Sequence, residues 1–177
     1  MFVELDDYPA LLALRKAWRE VAGELERLQG ERFVAWPERF LYRGDWQVFP
    51  LYKFGQKVED CCGLCPQTTV LVEAVPGMVT AGFSRMLPGT HIEPHKGYTG
   101  KVLRFHLGLT EAEECGLRVG TETRTWFPGS AFIFDDTVEH EAWNRGDRER
   151  TILLLDFKRD PSAVLHILPI LRNLDAS

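Results

Sequence analysis

The apolar positions of this chain follow two different periods. Leu11, Leu14, Trp18, Val21, Leu25 and Leu28 recur at helical spacing, so residues 7–29 are predicted to form one amphipathic helix. Asp7 stands where it can cap that helix, Pro9 fits a first turn where a missing N–H costs little, and Gly30 ends it. Its apolar stripe is expected to lie against the outside of a sheet. Residues 31–68 keep neither period and are punctuated by Trp36, Pro37, Gly44, Pro50, Gly55 and Gly63, which predicts irregular chain. From residue 69 onward short apolar runs alternate with Gly, Pro, Asp and Asn. Strands are predicted over 69–75, 79–86, 101–109, 117–119, 123–126, 130–134, 139–144 and 150–157. Pro161 and Ser162 open a predicted final helix carrying Val164, Leu165, Ile167, Leu168, Ile170 and Leu171. Short strands at this close spacing predict a mainly β, double-sheet barrel of jelly-roll type with flanking N- and C-terminal helices. Without an internal repeat, low-complexity tract or linker, residues 1–177 read as a single domain.

Composition narrows the class. The chain has 177 residues, 45% of them hydrophobic and 27% charged, with a formal net charge of −5. These values suit a globular chain that buries roughly two-thirds of its unfolded surface, and they exclude a disordered one. A nucleic-acid binder gathers Lys and Arg into a patch or stripe, and no such run is present. The start, Met1-Phe2-Val3-Glu4-Leu5-Asp6-Asp7, lacks the basic and apolar segments of a signal peptide. No apolar run approaches the ~20 residues that cross a bilayer. The expectation is a cytoplasmic protein with a small-molecule or peptide partner, and neither nucleic acid nor membrane. Cys61, Cys62 and Cys65 cluster, and Cys115 stands apart. Cys62-Gly63-Leu64-Cys65 is a CxxC, but a structural zinc site needs four ligands and no second CxxC follows. A redox pair is the alternative to the expectation of reduced loop cysteines.

Candidate chemistry centres on two histidines. His95 lies in Pro94-His95-Lys96-Gly97, after the turn Pro88-Gly89-Thr90, and His140 lies in Asp135-Asp136-Thr137-Val138-Glu139-His140-Glu141-Ala142-Trp143. Arg150 then opens the run Thr151-Ile152-Leu153-Leu154-Leu155. Two histidines on separate strands followed by an arginine form the layout of a non-haem iron(II) site that binds 2-oxoglutarate. The usual oxygen-activating set is two His and one carboxylate on one face of the metal. That carboxylate normally stands two residues after the first histidine, where this chain has Gly97. The chain therefore offers two ligands and an open ligand position. A lone strand histidine is more often an ordinary core or surface residue, and His91 and His166 are read that way. Arg150 offers a planar fork suited to bidentate carboxylate binding, which lysine does not reproduce. Arg104 and His106 stand two apart on a predicted strand and so share a face. If that face is interior, Arg104 needs an anionic partner: a bound ligand, or Asp135 or Asp136 in an internal salt bridge.

Several ordered motifs then carry a family resemblance. The stretches 88–97 and 103–109 (Leu103-Arg104-Phe105-His106-Leu107-Gly108-Leu109) resemble the aspartyl/asparaginyl β-hydroxylases. So do Glu122-Thr123-Arg124-Thr125-Trp126, Phe134-Asp135-Asp136, 139–143 and Gly44-Asp45-Trp46-Gln47, so that the match spans about 43–157. The resemblance implies a cupin-like double-stranded β-helix and a hydroxylase using Fe(II), 2-oxoglutarate and O2. Carried over by position, it implies His95 and His140 as metal ligands, with Gly97 at the open position. It implies Ser84 and Arg150 at the far carboxylate of 2-oxoglutarate, and His106 and Arg104 near its metal-proximal carboxylate and the substrate. Trp46 and Gln47 are implied substrate contacts, or else packing and a loop hydrogen bond. The implied reaction is insertion of oxygen into a C–H bond, at the β-carbon of an aspartyl or asparaginyl residue or a related amino acid or peptide. A halogenase using the open position, a non-catalytic jelly-roll binding module and a structural zinc or nickel site are the alternatives.

Overall fold

The structure is a computed structural model that describes residues 1–28 and 32–165. The N-terminal half holds strands β1 (Phe2–Val3), β2 (Val34–Ala35), β3 (Tyr42–Arg43), β4 (Trp46–Lys53) and β5 (Gln56–Lys57), and helices α1 (Pro9–Lys16), α2 (Trp18–Arg27), α3 (Glu59–Leu64) and α4 (Pro66–Glu73). Then come β6 (Met78–Met86), β7 (His91–His95), β8 (Val102–Gly108) and β9 (Cys115–Val119). The last are β10 (Glu122–Arg124), β11 (Ala131–Phe134), β12 (His140–Asn144) and β13 (Arg150–Lys158). An eight-stranded sheet runs β1-β11-β8-β13-β6-β4-β2, with β5 beside β4, and a five-stranded sheet runs β10-β9-β12-β7-β3. The pairings are antiparallel, and the two sheets face each other as a jelly roll.

The central strand β13 explains this layering. Its residues are buried on both faces, as expected of an uninterrupted apolar run. Leu153, Leu155 and Phe157 join one core with Leu11, Leu14 and Val72 of the helices. Ile152 and Leu154 point the other way, into a second core with Leu117, Val119 and Ala142 of the smaller sheet. The same alternation on β8 sends Leu103, Phe105 and Leu107 to the helices and leaves Arg104 and His106 between the sheets.

Several local expectations change. The long N-terminal helix is two helices broken at Ala17, where ψ is 18°. Pro9 starts the first, but Tyr8 and not Asp7 occupies the cap position, without a side-chain hydrogen bond. The region expected to be irregular holds the eight-residue strand β4, which carries Pro50 at a register shift against β6. The strand expected over 69–75 is helix α4. Pro66 begins it, and the buried Glu24 carboxylate of α2 accepts from the Gln67 N–H (2.9 Å), the Thr68 N–H (2.8 Å) and the Thr68 hydroxyl (2.6 Å). β-Branched Thr and Val thus form a helix because a distant carboxylate satisfies its N-terminus. The cysteines are not in a loop: Cys61 and Cys62 sit in α3 and Cys65 at its end, all buried and free, like Cys115. Burial pushes the Cys65 thiol up to about 12. Pro161 and Ser162 form a turn and residues 163–165 are not helical; the rest of the expected C-terminal helix, with His166, lies outside the described residues. No helix among the described residues is long and apolar enough to cross a membrane.

Candidate active site

β12 pairs with β7 so that His140 stands directly opposite His95, and their ring centroids are 4.2 Å apart. Each ring is held from behind. Nδ1 of His95 donates to the Glu93 carbonyl (2.8 Å), and Nδ1 of His140 to the Val138 carbonyl (2.9 Å). A carbonyl only accepts, so Nδ1 carries the hydrogen and Nε2 presents its lone pair, the state a metal ligand requires. Burial favours the neutral ring in both: it lowers the pKa of His95, and together with neighbouring His95 it pulls His140 down to about 3. These two imidazoles suit a divalent transition metal. No group of three His, Cys, Asp or Glu side chains among the described residues is placed to hold one.

Gly97 has a steric reason to be glycine. A Cβ at this position would fall inside the carboxylate of Asp136, while the Gly97 N–H donates to the Asp136 carbonyl (2.7 Å). Both carboxylate oxygens of Asp136 are buried without a hydrogen bond, and Arg104 Nη2 is 3.6 Å away. Burial raises Asp136 to about 6, against the pull of Arg104. The space beside Gly97 is thus filled by a carboxylate from the loop that leads to His140. Sequence reading raised Asp136 only as a partner for Arg104; its place in the Phe134-Asp135-Asp136 motif was the available signal. Arg159 ties the two loops together, donating from Nε to the Gly100 carbonyl (2.8 Å) and pairing with Asp135.

The histidines share a cavity with Ser84, Arg104, His106 and Arg150. Trp46 and Trp126 also line it, among apolar walls. Arg150 is 2% exposed, its Nε has no partner, and its guanidinium lies 4.5 Å above the Trp126 ring centroid. No acidic residue among the described residues pairs with it, and burial lowers it to about 10. Both nitrogens of His106 are buried and unpaired, and burial, then the Arg150 charge, holds its pKa well below the usual value. Ser84 Oγ accepts from Trp46 Nε1 (2.9 Å), which leaves its own hydroxyl hydrogen free to donate.

Two expectations need correction here. Arg104 does not wait for a ligand: it makes a bidentate pair with Asp156, Nε to Oδ1 at 2.7 Å and Nη2 to Oδ2 at 2.8 Å. Its internal partner is neither Asp135 nor, chiefly, Asp136. Gln47 is not brought to the cavity. Strand alternation turns it away from Trp46, and it accepts from Arg85 (2.7 Å) and donates to Asp45 (3.0 Å). The Trp46 ring lines the cavity and stacks on Trp36 at 4.1 Å. His91 pairs with Glu141 at 3.0 Å, away from the cavity.

The jelly roll sets paired imidazoles and a buried cation around one cavity, and comparison with solved structures agrees at the level of fold. A prolyl-4-hydroxylase from Pseudomonas putida matches with a TM-score of 0.55 at 19% identity, covering 82% of this chain and 88% of that one. Residues 15–160 match the family model for aspartyl/asparaginyl β-hydroxylase, and the chain belongs to that family. Among its relatives, an ornithine lipid ester-linked acyl 2-hydroxylase of Rhizobium tropici is 44% identical over 63% of this chain and 41% of that protein. The human aspartyl/asparaginyl β-hydroxylase is 36% identical over 81% of this chain and 20% of that protein. The chain therefore spans well under two-thirds of the length of these relatives.

Proposed function

We propose that this chain is an iron(II)- and 2-oxoglutarate-dependent hydroxylase. The observation that carries the reading is Arg150, a buried cation with no counter-charge among the described residues, in one cavity with two neutral imidazoles. A buried charge is stable only when paired, so an anionic ligand is the missing partner. His95 and His140 would hold the metal through Nε2. Arg150 and Ser84 would hold the far carboxylate of 2-oxoglutarate, and His106 would donate to the carboxylate nearer the metal. Metal, cosubstrate and dioxygen, when bound, supply the oxidation of a C–H bond. The chain's own residues orient the cosubstrate and keep water from it with the apolar walls. Asp136 beside Gly97 supports hydroxylation over halogenation, because a halide at the open position would lie against a carboxylate.

The substrate reading starts from the relatives: the β-carbon of an aspartyl or asparaginyl residue in an amino acid or peptide. The Rhizobium relative supports a second reading, hydroxylation of an acyl chain. The deciding experiment is an anaerobic titration with iron(II) and 2-oxoglutarate, following the visible charge-transfer band. Wild-type protein should develop the band and His140→Ala should lose it. Succinate release should then be coupled to one of a panel of asparaginyl peptides, free amino acids and acylated amino acids. A folded wild-type protein that forms no band would leave the non-catalytic binding module as the reading.

A further inference from the structure

Trp126 stands apart from the other buried aromatic residues. It follows β10, in the Thr123-Arg124-Thr125-Trp126 stretch, and is 3% exposed. Its Nε1–H has no acceptor, whereas the equally buried Trp46 donates to Ser84. The ring lines the cavity, sits under the Arg150 guanidinium and lies 5.8 Å from His106, centroid to centroid. Leaving a buried donor unpaired costs about 1–3 kcal/mol, so folded proteins carry few of them. This cavity gathers the Trp126 N–H, Arg150 Nε, an N–H of His106 and the free hydroxyl hydrogen of Ser84, with no carboxylate among the described residues that line it. Four donors on residues that line one space suit an acceptor with several lone pairs, which a carboxylate has.

We propose that Trp126 is a cosubstrate-binding residue: its indole N–H donates to the carboxylate held by Arg150, and its ring face supports that guanidinium. The inference rests on the reading of the cavity as a 2-oxoglutarate site and adds a ligand contact to it. The ring and the N–H do separate things. The face stabilises Arg150 by a cation–π contact with or without ligand. The N–H is used only when a carboxylate arrives, so a residue that keeps a ring and lacks the donor separates the two.

The test titrates anaerobic wild-type and Trp126→Phe protein with iron(II) and either 2-oxoglutarate or 2-oxobutyrate, which lacks the far carboxylate. Trp126→Phe should weaken 2-oxoglutarate about tenfold, the loss expected for one charge-assisted hydrogen bond. It should change 2-oxobutyrate less than twofold. An equal loss with both ligands would mean that the ring merely supports the cavity, and no loss with either would also overturn the assignment. Should Trp126→Phe fail to fold, the wild-type protein gives the answer with zinc(II) in place of iron. One of its five indole N–H proton resonances should move downfield with 2-oxoglutarate and not with 2-oxobutyrate. Absence of that difference overturns the proposal. If wild-type protein binds no 2-oxoglutarate, the cosubstrate reading falls and the Trp126 assignment with it; normal wild-type binding with unchanged Trp126→Phe removes the Trp126 assignment alone.

Discussion

Arg104 and Arg150 line the same cavity and are treated oppositely by the fold. At one end Arg104 is closed by two short hydrogen bonds to Asp156, its cross-strand neighbour on β13, with Asp136 nearby. At the other end Arg150 meets an indole face, a neutral histidine and, among the described residues, no carboxylate. Both guanidiniums leave water, so both need compensation, but among the described residues only Arg104 finds a carboxylate partner. The satisfied end is scaffold. The unsatisfied end keeps an electrostatic demand that, under the function proposed above, a bound anion would meet.

This contrast is open to direct attack, and the largest effect should come from the satisfied end. Asp156→Ala strands Arg104 in the interior and should lower unfolding free energy by roughly 3–5 kcal/mol, measured by urea denaturation. If stability held, Arg104 would not depend on its internal partner. Arg150→Leu should behave in the opposite way. Removing an uncompensated buried charge should leave stability unchanged or raise it by about 1 kcal/mol. The same variant should weaken 2-oxoglutarate binding by roughly a hundredfold, since a bidentate charge-assisted pair is lost. A destabilised Arg150→Leu with intact ligand binding would assign Arg150 to the scaffold after all.

The smallest expected effect concerns Asp136. Its pKa in the fold is about 6 against an ordinary 3.8, so the folded chain holds this proton more tightly than the unfolded one. Its contribution therefore favours folding below the unfolded value and is lost as pH rises through about 6. Asp136→Asn should be more stable than wild type at pH 7 by about 1 kcal/mol, with the buried amide's own unmet hydrogen bonds limiting the gain. Below about pH 4 the difference should vanish. His140, held neutral to about 3, acts with the opposite sign over part of the same window, so the comparison is made between variant and wild type at each pH. A stability difference that grew toward low pH would contradict the environment described for Asp136.

Much of the sheet was legible from local pattern. β6, β8, β11, β12 and β13 fall within a residue of expectation at each end, because alternating or continuous apolar runs bounded by turn residues report a strand wherever they lie. α4 was not legible, because its N-terminus is satisfied by Glu24, 44 residues from Thr68 along the chain. Nor was β7: Pro94 and the flanking polar residues obscure a strand that the smaller sheet recruits by pairing it with β12 and β3. At the site, residue types and spacing pointed to His95, His140, Arg104, His106 and Arg150, the family resemblance added Ser84, and the cavity brings these together. Gln47 was implied with Trp46 by the family-like Gly44-Asp45-Trp46-Gln47 motif, and strand alternation separates the two, leaving Gln47 in hydrogen bonds to Asp45 and Arg85.

By itself the sequence determined the strands with strong period, the histidine pair and the arginine that follows it, since these depend on side-chain chemistry and near-neighbour order. Only the tertiary structure decided which charges are matched. Arg104 and Asp156 meet across 52 residues, Asp136 fills the space that Gly97 leaves, and Trp126 is brought beneath Arg150 with its N–H unpaired. Desolvation and hydrogen-bond satisfaction depend on what surrounds an atom in space, and that is settled when the two sheets close on each other.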